Sequence, residues 1–426
     1  MLDLARYPLE KIAGQVGTPF YLYDASVLRE TVTRLARLVD GPGLACRYSI
    51  KANTARKVLE IVRAGGLWID AASGNEVLRA LRAGFAGGAD PPVIALATDV
   101  FRDNALGVIR EHYVLPSLGS PGMVRELSDA GYRGPICVRV NPGFGSGHVE
   151  ACDTGGPSSK HGIWPDDLPG VRRAAAEAGL RITGLHAHVG TGPTLLEFDV
   201  NMKLLVDFFV ALIPEFPNAS AIDLGGGFPY PYRPGESPFD IAGFRAVLDG
   251  ARDLLSAAAG RPLRIEIEPG RLAVAGMGAL VARVKDVKET RANEKGSGHT
   301  FVMVDAGFCD LVRTAMYGAY HDIEVAGRGG AGPTVPCVVA GPLCESGDVF
   351  TRDEAELLVP RLLPRPSAGD LLVIHDAGAY GASMSSNYVS MGRAAQVLWD
   401  DGCGTLIARR ETVEDLVAAE CEVDLR

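Results

Sequence analysis

Short apolar runs alternate with amphipathic helical patterns from the start of the chain to about residue 270. Apolar runs of this length predict strands, and the patterns between them predict helices. Roughly eight such β–α units in about 250 residues are typical of a TIM (β/α)8 barrel, whereas a doubly wound open sheet is the alternative. The predicted strands lie at 45–51, 67–72, 93–98, 113–118, 136–141, 182–189, 221–224 and 264–268.

The pattern changes after about Gly276. Strand-like runs then follow one another without helices of comparable length, at 281–290, 300–306, 335–340, 370–375, 395–400 and 405–410. We therefore predict an α/β barrel domain over residues 25–275 and a C-terminal β-rich domain over residues 276–426. The first 24 residues should join the β-rich domain, because residues 21–24 predict a short strand.

Composition excludes several classes of protein. The 426 residues are 47% hydrophobic and 22% charged, which is typical of a globular protein with more than one core. A net charge of -10 argues against a nucleic-acid or acidic-membrane partner. No apolar run is long enough to span a bilayer, and no signal peptide is recognised. The eight cysteines are scattered without a Cys-x-x-Cys pair, so we expect a cytoplasmic protein without disulfides or a structural zinc site.

Polar residues collect at or just beyond the C-terminal ends of the predicted barrel strands. That end of a TIM barrel is where such enzymes carry out their chemistry. The residues concerned are Lys51, Asp70, Asn141, His188, the run 225–227 and Glu268. Lys51 is the most informative, because an amine in such a position can act as a nucleophile toward aldehydes. A solvated lysine just after a strand is the alternative.

Two motifs at these strand ends suit a phosphorylated heterocycle. Gly225, Gly226 and Gly227 follow a strand, and consecutive glycines let backbone N–H groups converge on an anion, although a tight turn is the alternative. The segment 268–271 contains Glu268, which could pair with a protonated ring nitrogen, and Arg271, whose guanidinium could grip a carboxylate. A salt bridge at the start of a helix is the alternative there.

Two glycine-rich loops in the predicted β-rich domain add further candidates. The segment 341–348 places the Cys344 thiol beside Glu345, and such a loop favours function over a buried free cysteine. The segment 376–381 contains Tyr380, which could donate a hydrogen bond to a phosphate or could anchor the loop by packing. Together the motifs call for a cofactor with an aldehyde, a phosphate and a basic ring nitrogen, and pyridoxal 5′-phosphate has all three.

His186 and His188 suggest the main alternative without this cofactor. Two imidazoles on one strand face could bind a metal, as in metal-dependent barrel hydrolases. Such pairs usually lie on the first barrel strand, and this one is on the sixth. We therefore predict no metal site, and we expect one histidine to pack flat against a ring while the other supports the core.

Long blocks of the sequence closely resemble the diaminopimelate decarboxylases, a family of pyridoxal-phosphate enzymes with an alanine-racemase-like barrel. The blocks lie at 18–24, 46–53, 139–145, 154–164, 188–190, 223–228, 268–271, 304–308, 313–318, 341–348 and 380–388. The resemblance runs nearly end to end. One departure lies at 389–393, where the family usually continues with Asn-Ser-Arg-Pro and this chain reads Val-Ser-Met-Gly-Arg.

The resemblance implies a role for each candidate. For the cofactor, Lys51 resembles the lysine that binds it covalently, His188 the residue stacked on its ring, and Glu268 the partner of its ring nitrogen. Its phosphate would be held by 225–227 with Tyr380, and Asp70, Gly270 and Arg271 complete the predicted cofactor set. For the substrate, Arg271, Arg313, Tyr317, Glu345 and Tyr380 form the predicted binding set, and Cys344 resembles the donor of a proton to the reacting carbon.

The same resemblance implies the reaction and the assembly. The expected activity is decarboxylation of meso-2,6-diaminopimelate at its D-centre to L-lysine and CO2, the last step of lysine biosynthesis. A homodimer with active sites shared across its interface is implied. A decarboxylase of another D-amino, ornithine-like, arginine-like or conjugated amino acid is the nearest alternative. An alanine racemase fits less well, because that family places an arginine at the ring nitrogen and Glu268 is acidic.

Overall fold

The computed structural model describes residues 1–147, 152–294, 296–328 and 333–423, which form two compact units. We call Arg29–Pro231 with Ser237–Ala273 the barrel unit. We call Met1–Leu28, Tyr232–Glu236 and Val274–Arg426 the sheet unit. The segment Tyr232–Glu236 lies inside the range predicted for the barrel domain but belongs to the sheet unit, where the Tyr232 ring packs against the Arg313 guanidinium.

The barrel unit is a closed barrel of eight parallel strands, so the predicted TIM barrel is confirmed. The barrel closes where the last of these strands pairs with the first, with Leu44 opposite Ile265. The strands are β2 (Leu44–Ser49), β3 (Trp68–Ala71), β4 (Ile94–Thr98), β5 (Leu115–Leu118), β6 (Pro135–Arg139), β7 (Arg181–His186), β8 (Ala221–Asp223) and β9 (Arg264–Ile267).

Amphipathic helices alternate with these strands. In the helix Arg56–Ala64, for example, Val58, Leu59 and Val62 form the buried face at helical spacing. Thr194 and Glu197 exchange hydrogen bonds in a capping box at the start of another helix. The helices are α2 (Ala25–Leu38), α3 (Arg56–Ala64), α4 (Gly74–Arg82), α5 (Ala105–His112), α6 (Gly122–Asp129), α7 (Leu168–Glu177), α8 (Leu195–Leu212), α9 (Phe244–Ala259) and α10 (Arg271–Val274).

The sheet unit contains one mixed sheet, and its N-terminal strand lies at the centre. That strand, β1 (Phe20–Asp24), pairs antiparallel with β10 and parallel with β16, so the start of the chain is part of this sheet. The other strands are β10 (Gly278–Glu289), β11 (Thr300–Val304), β12 (Ile323–Val325), β13 (Thr334–Ala340), β14 (Arg361–Pro364), β15 (Leu371–Ile374), β16 (Ala395–Asp400) and β17 (Cys403–Ala408). Its helices are α1 (Leu9–Val16), α11 (Arg313–Tyr317) and α12 (Val413–Val417).

Two strand ends differ from the sequence predictions and matter for the site. Strand β2 ends at Ser49, and Lys51 lies in the short 3-10 turn Ile50–Ala52 that follows it. Strand β7 ends at His186, so the prediction that His186 and His188 share one strand face is wrong. In the two cases the strand ends two and three residues, respectively, before the end of the predicted strand. None of the described helices combines the length and apolarity that a membrane span requires.

Candidate active site

The C-terminal ends of the barrel strands bring the predicted polar residues of the barrel unit to one end. Asp70 lies in β3 and Glu268 directly follows β9, and both side chains are buried. Asp70 accepts a hydrogen bond from Ser49 Oγ at 2.7 Å. Lys51 lies in the short turn after β2 and is exposed, and its positive charge acts on the buried Glu268 and His188.

Glu268 is the acid with the most strongly altered environment at this end. Burial, followed by the nearby Asp70 carboxylate, raises the pKa of Glu268 to about 8, while Lys51 and Arg139 act in the opposite direction. The Glu268 Oε2 atom lies 3.3 Å from His186 Nε2. A partner that carries a positive charge or a proton would stabilise a carboxyl that is this buried.

The two histidines have different surroundings but are both neutral. Burial lowers the pKa of His186 to about 4. Burial, followed by the positive charges of Lys51 and Arg139, holds the pKa of His188 well below its usual range. The Nδ1 atom of His188 accepts a hydrogen bond from the Gly226 backbone N–H at 3.3 Å. A neutral imidazole fixed beside the glycine run is suited to packing against an aromatic ring.

The glycine run requires glycine at each position. Gly225 and Gly227 have φ angles of 74° and 87°, a region that side chains with a Cβ rarely adopt. A Cβ on Gly225 would lie 2.5 Å from the Ala187 carbonyl oxygen, and one on Gly227 would lie 2.2 Å from that of Gly190. Even Gly226, with ordinary dihedral angles, would place a Cβ 2.4 Å from the Glu268 carbonyl oxygen. The backbone of this run is thus pressed against the neighbouring strand ends, where the Gly225 and Gly226 N–H groups donate to Asp223 and His188.

The segment after β9 is held equally closely. A Cβ on Gly270 would lie 3.0 Å from the Ser49 Cβ, so this glycine lets the ends of β9 and β2 approach one another. Arg271 follows as the first residue of α10 and is only 9% exposed. A guanidinium at this depth retains its charge, and it therefore suits a carboxylate or phosphate ligand.

Arg313 is the most deeply held candidate of the sheet unit. It is 3% exposed, its Nη1 donates to His321 Nε2 at 2.7 Å, and its guanidinium lies 4.6 Å from the Tyr232 ring centroid. The other nitrogen of His321 lies 2.8 Å from the His375 carbonyl oxygen, which places the ring proton on Nδ1. These contacts fix the orientation of the guanidinium. Tyr317 ends the same short helix, α11, and is half-buried.

The Cys344 loop displays its chemical groups at the surface. Cys344 is exposed, so the alternative of a buried free cysteine is wrong. The exposed Glu345 accepts a hydrogen bond from the Tyr388 hydroxyl at 2.5 Å. Asp348 is buried beneath the loop and accepts hydrogen bonds from the backbone N–H groups of Leu343 (2.8 Å) and Phe308 (2.7 Å). Asp348 therefore shapes the loop, while Cys344 and Glu345 face outward.

Tyr380 lies in the second predicted loop with a φ of 57° and is half-buried. Such a φ is uncommon for a tyrosine and marks a backbone that its surroundings hold in place. Tyr380, Arg313, Tyr317, Cys344 and Glu345 all belong to the sheet unit, whereas the remaining predicted site residues belong to the barrel unit.

The sequence analysis gave no role at these sites to four residues that the structure places there. Arg139 and Asp223 are the last residues of β6 and β8, so the rule that chemistry lies at C-terminal strand ends could have found both. His186 was assigned to the core, but it contacts Glu268. Tyr388 lies in the resemblance block 380–388, but its contact with Glu345 joins residues 43 positions apart and could not be read from the sequence.

The barrel residues fit a pyridoxal phosphate. Its phosphate could lie against the glycine run 225–227, whose backbone a Cβ at any of the three positions would displace. Lys51 could supply an amine for its aldehyde, and the buried carboxyl of Glu268 suits its basic ring nitrogen. The neutral ring of His188 lies beside the glycine run.

Known proteins share this sequence and fold. The sequence profile of the family described as pyridoxal-dependent decarboxylase, pyridoxal binding domain, matches residues 27–275. The chain is 39% identical to the diaminopimelate decarboxylase of Escherichia coli over 423 residues, which cover 98% of this chain and 97% of the relative. It is 40% identical to that of Streptomyces coelicolor over 421 residues, covering 97% of this chain and 92% of the relative.

Solved structures agree with these sequence matches. A crystal structure of a diaminopimelate decarboxylase is 39% identical, with a TM-score of 0.88 and coverage of 96% of this chain and 95% of the other. The diaminopimelate decarboxylase of Helicobacter pylori, solved in complex with L-lysine, is 27% identical, with a TM-score of 0.82 and coverage of 96% and 98%.

Proposed function

This chain belongs to the diaminopimelate decarboxylase family of pyridoxal-dependent decarboxylases, and we propose that it decarboxylates meso-2,6-diaminopimelate at its D-centre to give L-lysine and CO2, as the last step of lysine biosynthesis. The observation that carries the proposal is the position of Lys51, the glycine run and the buried Glu268 at one end of the barrel. Those three features match the aldehyde, phosphate and ring nitrogen of pyridoxal 5′-phosphate.

The barrel unit would hold the cofactor, which when bound withdraws electrons from the carbon that loses CO2. Lys51 would supply the amine that binds its aldehyde, and Glu268 would hold a proton at the ring nitrogen. The glycine run 225–227 would bind its phosphate together with Tyr380, and His188 would pack flat on its ring. We assign Asp70, Gly270 and Arg271 to the same cofactor site.

The second carboxylate of diaminopimelate distinguishes it from lysine and ornithine, and arginines are suited to recognise it. Arg313 is held rigidly by His321 and Tyr232, so its guanidinium is preorganised for a two-point contact with a carboxylate. We assign Arg271, Arg313 and Tyr317 to this carboxylate, with Tyr380 nearby in the substrate set. Glu345 would bind the distal ammonium group, and Cys344 would protonate the reacting carbon.

We further propose a cytoplasmic homodimer in which each active site is completed across the interface. Its support is the exposure of Cys344 and Glu345, which carry the chemistry assigned to them but lie on the surface of their own unit. Groups that bind a substrate and protonate carbon need an environment that excludes water. A partner subunit would provide it.

One observation favours a second candidate, a decarboxylase of the same fold acting on another amino acid. The departure at 389–393 directly follows Tyr388, whose hydroxyl donates to Glu345. Val389 and Ser390 have φ angles of 57° and 53°, so this loop adopts a backbone that these residues rarely take. A changed loop beside the residue assigned to the distal ammonium group could alter the substrate.

Turnover of a substrate panel tests the choice. The purified protein is incubated with pyridoxal phosphate and meso-diaminopimelate, LL-diaminopimelate, lysine or ornithine, and the products are resolved by chiral chromatography. We expect L-lysine from the meso isomer and discrimination of roughly 10⁴-fold against substrates without a second carboxylate, since they lose the charged hydrogen bonds that Arg313 would make to it. Comparable kcat/KM for ornithine would contradict the proposal and favour the second candidate.

A conservative variant locates the recognition. Arg313→Lys keeps the positive charge but loses the guanidinium geometry, so discrimination between meso-diaminopimelate and ornithine should fall by at least about tenfold. Arg365→Lys is the matched control, because Arg365 pairs with Glu289 on an exposed surface of the same unit.

A further inference from the structure

Side chains fill the interior of the barrel only in part. A cavity of about 920 Å³ extends through the barrel unit. Its outer rim includes Pro92, Tyr113 and Pro135, which precede or begin strands, and its inner wall includes small residues such as Ala95 and Cys137. TIM barrels usually pack this space with layers of branched side chains. The residues that line the cavity thus include both positions at the N-terminal face of the barrel and groups at the opposite ends of the strands.

Three potential metal ligands meet at the inner end of this cavity. One ligand atom each from His186, Asp223 and Glu268 lies within 4.8 Å of the others, and all three residues line the cavity. They are only 3%, 7% and 5% exposed. His186 Nε2 has no hydrogen-bond partner among the residues the structure describes. A buried ring nitrogen without a partner is costly, so a ligand at this point would remove that cost.

Neighbouring groups already orient these ligands. The other nitrogen of His186, Nδ1, lies 3.2 Å from Ser117 Oγ. Asp223 Oδ1 accepts a hydrogen bond from the Gly225 N–H at 2.8 Å, which leaves its second oxygen for another partner. Metal-binding residues are usually held by outer contacts of this kind. The distance of 3.3 Å between His186 Nε2 and Glu268 Oε2 is close to the ~3.4 Å between ligands in tetrahedral Zn²⁺ sites.

We propose that His186, Asp223 and Glu268 form a site for a divalent first-row transition ion in the cofactor-free protein, entered through the barrel cavity. One imidazole and two carboxylates are a ligand set that Zn²⁺ accepts, with a position left for water from the cavity. The ion and pyridoxal phosphate then exclude each other, because both require Glu268. This exclusion rests on the proposed function, whereas ion binding does not.

Zn²⁺ titration of the full-length protein, freed of cofactor, tests the site. We expect one ion per chain by calorimetry, and X-ray absorption of the wild-type complex should show only nitrogen and oxygen ligands. His186→Asn and Asp223→Asn should each weaken binding by at least ~10²-fold, and Ser117→Ala by ~10-fold through the orientation of His186. His112→Asn removes a histidine on α5 and should change nothing. Sulfur ligands, or unchanged affinity in both ligand variants, would overturn the proposal without depending on any variant's activity.

The exclusion is tested by the absorbance of bound cofactor. Zn²⁺ should lower the apparent affinity of the wild-type protein for pyridoxal phosphate in proportion to the bound ion, and this effect should disappear in His186→Asn. Tight Zn²⁺ binding with unchanged cofactor affinity would overturn the exclusion. A protein that binds the ion as expected but decarboxylates no amino acid would instead count against the proposed function alone.

Discussion

The main apolar cluster of the sheet unit differs from the interior of the barrel, which contains a buried ion pair. The sheet unit has an apolar core cluster in which the side chains of Phe20, Leu22, Val281 and Val373 are fully buried. The barrel interior instead carries the fully buried Arg47, whose Nε donates to Glu266 Oε2 at 2.5 Å. Hydrophobic burial is non-directional, whereas buried ions need partners in defined positions. The interior of the barrel unit thus contains charged side chains in fixed positions where apolar side chains would otherwise pack.

Chemistry and stability are consequently arranged differently in the two units. In the barrel unit the titratable residues at the strand ends are also part of the interior, so changing one alters the balance of buried charge. In the sheet unit Cys344 and Glu345 are exposed on a loop shaped by Asp348. A substitution at Cys344 should therefore separate activity from stability, whereas one in the barrel interior should not.

The largest expected effect is on turnover in Cys344→Ser. A hydroxyl is a much weaker acid than a thiol, so kcat should fall by the ~10²–10⁴-fold typical of losing a positioned acid. Because Cys344 is exposed, the unfolding midpoint should remain within the error of the wild type. Steady-state kinetics and thermal unfolding provide the two readouts.

Cys403→Ser is the matched control, since Cys403 is an exposed cysteine on β17 of the same unit. It should change neither readout. Wild-type turnover in Cys344→Ser would mean that another group protonates the carbon. A large loss of stability in the same variant would contradict the expectation that activity and stability can be separated at Cys344.

The next effect is on stability in Arg47→Met. The Arg47 guanidinium pairs with Glu266 and also donates to the Pro92 carbonyl at 2.9 Å, so its removal leaves buried acceptors without partners. Breaking a buried ion pair typically costs about 3–5 kcal/mol, and Arg264 should offset part of this cost because it remains bound to Glu266 at 2.7 Å. Urea unfolding followed by circular dichroism measures the change.

An exposed pair shows whether burial is the cause. Arg365→Met removes the partner of Glu289, and both side chains of this pair are more than half exposed at 65% and 62%. The expected loss is below about 1 kcal/mol. Equal losses of unfolding free energy in Arg47→Met and Arg365→Met would show that the barrel interior is solvated enough to tolerate an unpaired acid. The proposed difference between the two units would then be wrong.

The contrast between the two units also explains which parts of the fold and of the site could be predicted from the sequence. The barrel was predictable because eight alternating apolar runs leave few other folds, and Glu268 and the glycine run were predictable because strand ends mark the active face. The charged interior was not, since Arg47 and Glu266 lie 219 positions apart and each occurs in an apolar run. The short strands β12 and β14 were also missed, because three or four residues carry no recognisable period.

Contacts between loops set a second limit. Cys344 and Glu345 could be identified from their glycine-rich surroundings, but the hydrogen bond from Tyr388 depends on the fold. The same holds for Arg313. The resemblance of the chain to the family implied a role for this residue, but it did not predict its contacts with His321 and Tyr232. Local patterns thus predicted which residues matter, and the tertiary structure alone revealed which partners hold them.

The smallest expected effect concerns Asp310, one of the buried acids of the sheet unit. Asp310 is 4% exposed, and burial raises its pKa to about 6 despite a hydrogen bond from the Gly307 N–H at 3.1 Å. An acid with a higher pKa in the folded state holds its proton more tightly when folded. Its contribution is therefore fully present below the unfolded pKa near 4 and is lost as the pH rises toward 6.

The prediction is a pH-dependent difference between the wild type and Asp310→Asn. The wild type should lose about 1 kcal/mol of unfolding free energy relative to this variant between pH 5 and pH 7, because the amide cannot ionise. Urea unfolding at both pH values measures the difference, and Glu294→Gln, which changes an exposed acid of the same unit, should show no such dependence. A constant difference across this range would mean that Asp310 ionises at its ordinary pKa. Water would then reach it, and the interior of the sheet unit would be less apolar at this point than the contrast with the barrel requires.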